Sequence, residues 1–93
     1  MNYNITFSEE AEEDISKAYQ WYEDQREGLG MEFIEAVRDA AKNVGYNPLF
    51  FSYRKENIRG YQIKRFPYLI LYFIEVDNVR VISVFHMSRN PMA

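Results

Sequence analysis

Ninety-three residues with no cysteine and a net charge of −3 exclude a disulfide scaffold and a thiolate metal site, and argue against a strongly basic nucleic-acid binder. Such a chain makes one domain, residues 1–93, burying only about 60–70% of its unfolded surface. Sixteen aromatics (eight Tyr, seven Phe and Trp21) compensate through their large buried areas. No apolar run has the length of a membrane span, and the acidic N-terminal region does not read as a signal peptide, so the expected setting is the cytoplasm.

Tyr3, Ile5 and Phe7 alternate with polar residues, the pattern of a half-buried strand. Ser8 follows as an N-cap, with Glu9, Glu10, Glu12 and Glu13 where a helix dipole favours negative charge. Ala11, Ile15, Ala18, Tyr19 and Tyr22 then form one apolar stripe at helical spacing. Gly28 and Gly30 interrupt it. Phe33, Val37, Ala40, Ala41 and Val44 make the inner face of a second helix, with Gly45 as its C-terminal cap and Pro48 preventing continuation. After Pro48 the period changes to two. Residues 58–65, 68–75 and 79–87 read as strands, turning at Phe66-Pro67 and at Asp77-Asn78. The second turn implies that Glu75 faces Arg80, Phe73 faces Ile82, Leu71 faces Val84 and Leu69 faces His86. On that register Leu69, Leu71, Phe73, Ile82 and Val84 pack on the helices, while Tyr68, Tyr72, Ser83 and Met87 point away. The expected fold is α+β, a two-layer sandwich of order β-α-α-β-β-β, with a helical hairpin on one face of a mostly antiparallel sheet.

Charge is unevenly divided. Residues 1–47 carry eleven acids and four bases, whereas residues 48–93 carry three acids and seven bases, so one half suits an anionic partner. The acids at positions 9–14 read as solvated charge at a helix start, and Tyr19 and Tyr22 as packing, with Trp21 at the flank of the stripe. His86, the only histidine, reads as a hydrogen-bonded structural residue near a strand end, which Pro91 terminates. With no cysteine and no second histidine, no metal set forms around it, and no cofactor is implied. Arg59, Arg65 and Arg89, with Lys64 and Arg80, interleave with Tyr61, Tyr68 and Tyr72. Cations among aromatics suit phosphate contacts with base stacking, and equally an acidic protein partner; the acidic net charge favours the protein.

"SEEAEEDI", "GLGMEFIEAV", the "NP" that follows it, "IRGYQIKRFPYLILYFIE" and the closing "VFHMSRNP", in this order over nearly the whole chain, resemble the RelE/ParE toxins of bacterial type II toxin–antitoxin modules. The resemblance implies the fold just described and a plasmid-stabilising or chromosomal toxin neutralised by a cognate antitoxin. A dimer or an antitoxin-bridged hetero-oligomer is compatible with it. Two activities occur in such a family. RelE-like members cleave mRNA on the ribosome; here Arg59, Arg65 and Arg89 would stabilise the phosphate while His86 or a tyrosine moves the proton. ParE-like members bind and inhibit DNA gyrase. The ending His86-x-x-Arg89-x-Pro91 resembles the ParE side, as do the lack of a tyrosine after Phe85 and the lack of strong overall basicity. Arg59, Tyr61, Arg65, Tyr68, Tyr72 and Arg89 are then the expected contacts to target or antitoxin, with His86 and Pro91 as the structural strand end.

Overall fold

The structure, a computed structural model, describes residues 2–88. It runs β1 (Asn4–Phe7), α1 (Glu9–Gln25), α2 (Leu29–Tyr46), a 3-10 helix (Pro48–Phe50), β2 (Tyr53–Lys55), β3 (Ile58–Gln62), β4 (Tyr68–Glu75) and β5 (Asn78–His86). The five strands form one sheet in the order β1-β5-β4-β3-β2. β1 lies parallel to β5 and every other pair is antiparallel. Both helices pack on one face, so the expected α+β sandwich is the observed one, with a short edge strand, β2, added. No described helix is long and apolar enough to cross a membrane.

Ser8 caps α1 by accepting the Ala11 amide at 3.1 Å, with Glu9, Glu10 and Glu12 in the first turn. α2 starts differently. Gly28 takes φ +91°, a conformation nearly closed to other residues. The Glu23 carboxylate then accepts the amides of Gly28 and Gly30, each at 3.0 Å. One helix thus caps the next, using a negative charge where the dipole favours it. Gly30 and Gly45 lie inside α2 rather than at a break and a cap. A Cβ on Gly45 would come within 2.8 Å of the Ile5 side chain, and the Gly45 carbonyl accepts the Tyr3 amide. This glycine is where β1 crosses α2.

The core corrects the expected face of the sheet. Its helical side is built from Ala11, Ala18 and Ala40 with Tyr22, Phe33, Val37 and Val44; its sheet side holds Tyr68, Ile70, Tyr72, Val79, Val81 and Val84. Tyr68 and Tyr72 therefore face the helices, and by the alternation of a strand Leu69, Leu71 and Phe73 lie on the opposite face. The reason is volume. Alanines at the helix contacts leave room that aromatic rings fill, and Tyr72 satisfies its hydroxyl within the core by donating to the Pro48 carbonyl at 2.7 Å. The sequence of β4, YLILYFIE, is apolar on both faces, so its period does not distinguish them.

The register changes accordingly. Glu75 pairs with Asn78, Phe73 with Arg80 and Tyr72 with Val81; Leu71 then pairs with Ser83, Leu69 with Phe85 and Tyr68 with His86. The loop is Val76-Asp77, one residue earlier than expected, with Val76 at φ +55°. Ile82 has no partner across the ladder, so β5 carries a bulge there. The bulge is what lets Val79, Val81 and Val84 all face inward. It also lies where β1 ends beside Val81, leaving the next backbone groups of β5 to α1. Ser8 Oγ donates to the Ile82 carbonyl at 3.2 Å. The Asp14 carboxylate accepts the Val84 amide at 3.0 Å and the Ser83 hydroxyl at 3.3 Å. Asp14, which reads from the sequence as solvated charge, is a tertiary hydrogen-bond acceptor.

Candidate functional site

The expected contact residues separate into two places. At the C-terminal end of α2, β3 sets Arg59 opposite Tyr72. Arg59 Nη1 donates to the carbonyls of Phe51 (2.7 Å) and Leu49 (3.2 Å), and Nη2 donates to the Tyr53 hydroxyl (2.8 Å). Its guanidinium carbon also lies 3.9 Å above the centroid of the Tyr53 ring. One side chain thereby holds the whole connection from the 3-10 helix to β2. Tyr72 lies beneath it, fully buried; burial pushes its hydroxyl pKa up to about 12, an effect the nearby Arg59 charge opposes. Tyr61, half-buried, accepts a hydrogen bond from the Asn43 side chain at 2.9 Å and meets the Phe51 ring edge-on at 4.7 Å. Arg59, Tyr61 and Tyr72 are thus tied into the fold.

The second place is the opposite end of α2, where β3 turns into β4. Arg65 adopts φ +75°, a left-handed conformation unusual for such a residue. The exposed guanidinium donates to Glu32 at 2.8 Å, and Arg26 reaches the other oxygen of the same carboxylate at 3.2 Å. The two arginines, Arg65 first, hold the Glu32 carboxyl below the ordinary carboxylate value. Lys64 is exposed beside them. Under this turn runs an aromatic series. Trp21 meets Tyr22 at 5.1 Å between ring centroids, Tyr22 meets Phe66 at 4.9 Å, Phe33 meets Tyr68 at 5.1 Å, and Tyr68 meets His86 at 5.0 Å. Tyr68 is therefore a core residue rather than a surface contact.

His86 is the last residue of β5, and its Nδ1 accepts the Ser88 amide at 3.1 Å. The Met87 amide donates to the Pro67 carbonyl, so the end of β5 is fastened to the β3–β4 turn. This brings Lys64, Arg65 and the end of the last strand to one surface. Arg89 and Pro91, expected to divide contact and strand termination between them, lie outside the described residues.

One exposed feature was not expected from the sequence. Tyr46, Leu49, Phe50 and Tyr53 all lie at the surface along the strap that Arg59 holds. The signal is present in YNPLFFSY, five large apolar residues in eight without a charge, but after Pro48 it reads only as a connection.

Residues 5–91 match the family model described as the ParE toxin of type II toxin-antitoxin system, parDE. The chain is also similar to a solved structure of the chromosomal ParDE toxin–antitoxin system of P. aeruginosa. The identity is 13% and the TM-score 0.70, over 92% of this chain and 97% of that one. A structure from the RelBE2 toxin–antitoxin complex of Mycobacterium tuberculosis is similar too, at 18% identity and a TM-score of 0.66, over 92% and 99% of the two chains. At such identities the likeness is one of fold. No curated protein matches the sequence.

Proposed function

We propose that this chain, which belongs to the ParE toxin family of type II toxin–antitoxin systems, acts by binding and inhibiting DNA gyrase and is silenced by a cognate antitoxin. The observation that carries binding over RNA cleavage is the state of Arg59. A ribosome-dependent nuclease needs cationic groups free to meet the charge that develops on the phosphate. Here Arg59 is committed to two carbonyls, a hydroxyl and an aromatic face. Of the tyrosines beside it, Tyr72 is buried and the Tyr53 hydroxyl is taken up by Arg59's own hydrogen bond. The reading assigns the gyrase contact to the end of the sheet where Lys64 and Arg65 face solvent, together with Arg89. It fits the net charge of −3, since binding to nucleic acid is driven chiefly by an excess of Lys and Arg.

The test is a supercoiling assay with purified protein beside a reconstituted translation assay. Supercoiling by gyrase should be inhibited and mRNA on translating ribosomes left intact. Arg65→Ala and Arg89→Ala should each weaken inhibition by about tenfold, the effect of roughly 1.4 kcal/mol of lost contact, with melting nearly unchanged. Site-specific cleavage of ribosome-bound mRNA with gyrase unaffected would transfer the protein to the nuclease reading.

A further inference from the structure

We propose that the strap from Tyr46 to Tyr53 is a docking surface for an acidic, apolar-bearing segment of the antitoxin, separate from the end of the molecule assigned to the target. The inference rests on the toxin reading, though not on gyrase as the target. Tyr46 is 71% exposed, Leu49 60%, Phe50 74% and Tyr53 59%. Single exposed apolar residues are ordinary, but four large ones within eight positions make the kind of contiguous patch that marks an interaction site.

The patch is held in place from inside. Arg59 binds the carbonyls of Leu49 and Phe51 and the hydroxyl of Tyr53; Tyr72 binds the carbonyl of Pro48; Phe51 meets Phe50 at 5.2 Å and Tyr61 at 4.7 Å. The apolar side chains are therefore presented on a backbone that is already ordered, which lowers the entropic cost of binding. The backbone carbonyls of Pro48, Leu49 and Phe51 are thus bound from within, while the side chains of Tyr46, Leu49, Phe50 and Tyr53 face solvent.

Charge chooses the occupant. From Lys42 to Arg59 the chain carries four cations and one acid, Glu56, within a protein of net charge −3. Two copies meeting strap to strap would oppose like charges, so a symmetric dimer is disfavoured. A segment bearing carboxylates beside apolar anchors would complement the surface. Shape favours a chain segment over a lipid surface. Tyr46 also lines a groove of about 860 Å³ whose charged lining is balanced, Arg38 and Lys42 against Glu35 and Asp39, and a peptide leaving the strap can follow that groove where a bilayer cannot. The strap and the Arg65 end sit at opposite ends of α2, on the order of 20 Å apart for the rise between Glu32 and Tyr46. A partner holding the strap could thus be anchored without using the target surface itself.

The probe is the full-length product of the small reading frame beside the gene, purified and titrated against the toxin. The Leu49→Ser/Phe50→Ser double variant should still arrest growth and melt within a few degrees of wild type, because both side chains are exposed. Its affinity for the antitoxin should fall at least 100-fold, and co-expressed antitoxin should no longer rescue growth. Arg54→Glu/Lys55→Glu should weaken binding at least tenfold at low salt, with the difference shrinking as salt rises; this pair also serves if the serine variant fails to fold. Affinity within threefold of wild type in both variants overturns the proposal, as does a wild-type chain that binds no antitoxin. It is equally overturned if the serine variant loses binding to phosphatidylglycerol vesicles, or loses self-association, while antitoxin affinity is unchanged. Failure of the gyrase reading appears separately, in the supercoiling assay with wild-type protein.

Discussion

Replacing Tyr72 with phenylalanine removes one oxygen from the centre of the molecule and tests how the strap is attached to the core. The hydroxyl is fully buried and donates to the Pro48 carbonyl at 2.7 Å. Without it that carbonyl loses its donor from the core, at a cost of about 1–3 kcal/mol. Phenylalanine is easier to bury, so a net loss of about 1.5 kcal/mol is expected, or a Tm lower by roughly 6–12 °C for a domain of this size. The same hydroxyl makes a second, independent signature. Its folded pKa is raised to about 12 from 10.0, so its contribution is complete below pH 10 and is lost as pH rises through 12. Two pKa units correspond to about 2–3 kcal/mol. Wild type should therefore lose that much between pH 10 and pH 12, while Tyr72→Phe loses little over the same window. Chemical denaturation followed by near-UV circular dichroism from pH 7 to pH 12 measures both effects. Equal stability at pH 7, or a gap between the two proteins that stays constant up to pH 12, would refute the reasoning.

Asp14→Ala should destabilise by about 1.5–3 kcal/mol, because it strips a charged acceptor from the Val84 amide and the Ser83 hydroxyl; urea titration should show Asp14→Asn recovering part of this, and a neutral alanine variant would argue against the pinned bulge. Val76 is β-branched, almost fully exposed and held at φ +55°, so Val76→Asn should stabilise by about 1 kcal/mol, read as a rise in Tm. Glu32 is held below its ordinary 4.5 by Arg65 and Arg26; its contribution is present above that value and disappears as pH falls through the depressed one. Glu32→Gln should flatten the acid limb of a plot of Tm against pH, and a limb identical to wild type would show that the two arginines add nothing to stability.

The sequence by itself determined the class of fold, the two helices and their inner stripes, because Ala11, Ala18, Phe33, Val37 and Val44 recur at a period that only a helix can bury on one side. It also determined that the second half is a sheet and that the chain resembles the toxin family that residues 5–91 match. What only the tertiary structure decided is which face of that sheet is the inside. Alternation specifies a face only when one set of residues is polar, and β4 is apolar on both. The decision fell to volume, with alanines on the helices admitting Tyr68 and Tyr72, and to a bulge at Ile82 whose backbone groups are met by Ser8 and Asp14, some seventy positions away. The candidate site divides for the same reason. Arg59 and Arg65 read alike in sequence, yet in space Arg65 is an exposed cation beyond the end of β3 and Arg59 is a clamp. Whether a guanidinium meets a partner or its own backbone depends on which carbonyls the fold leaves within reach, and those of Leu49 and Phe51 come within reach of Arg59 only when β3 has paired with β2 and β4.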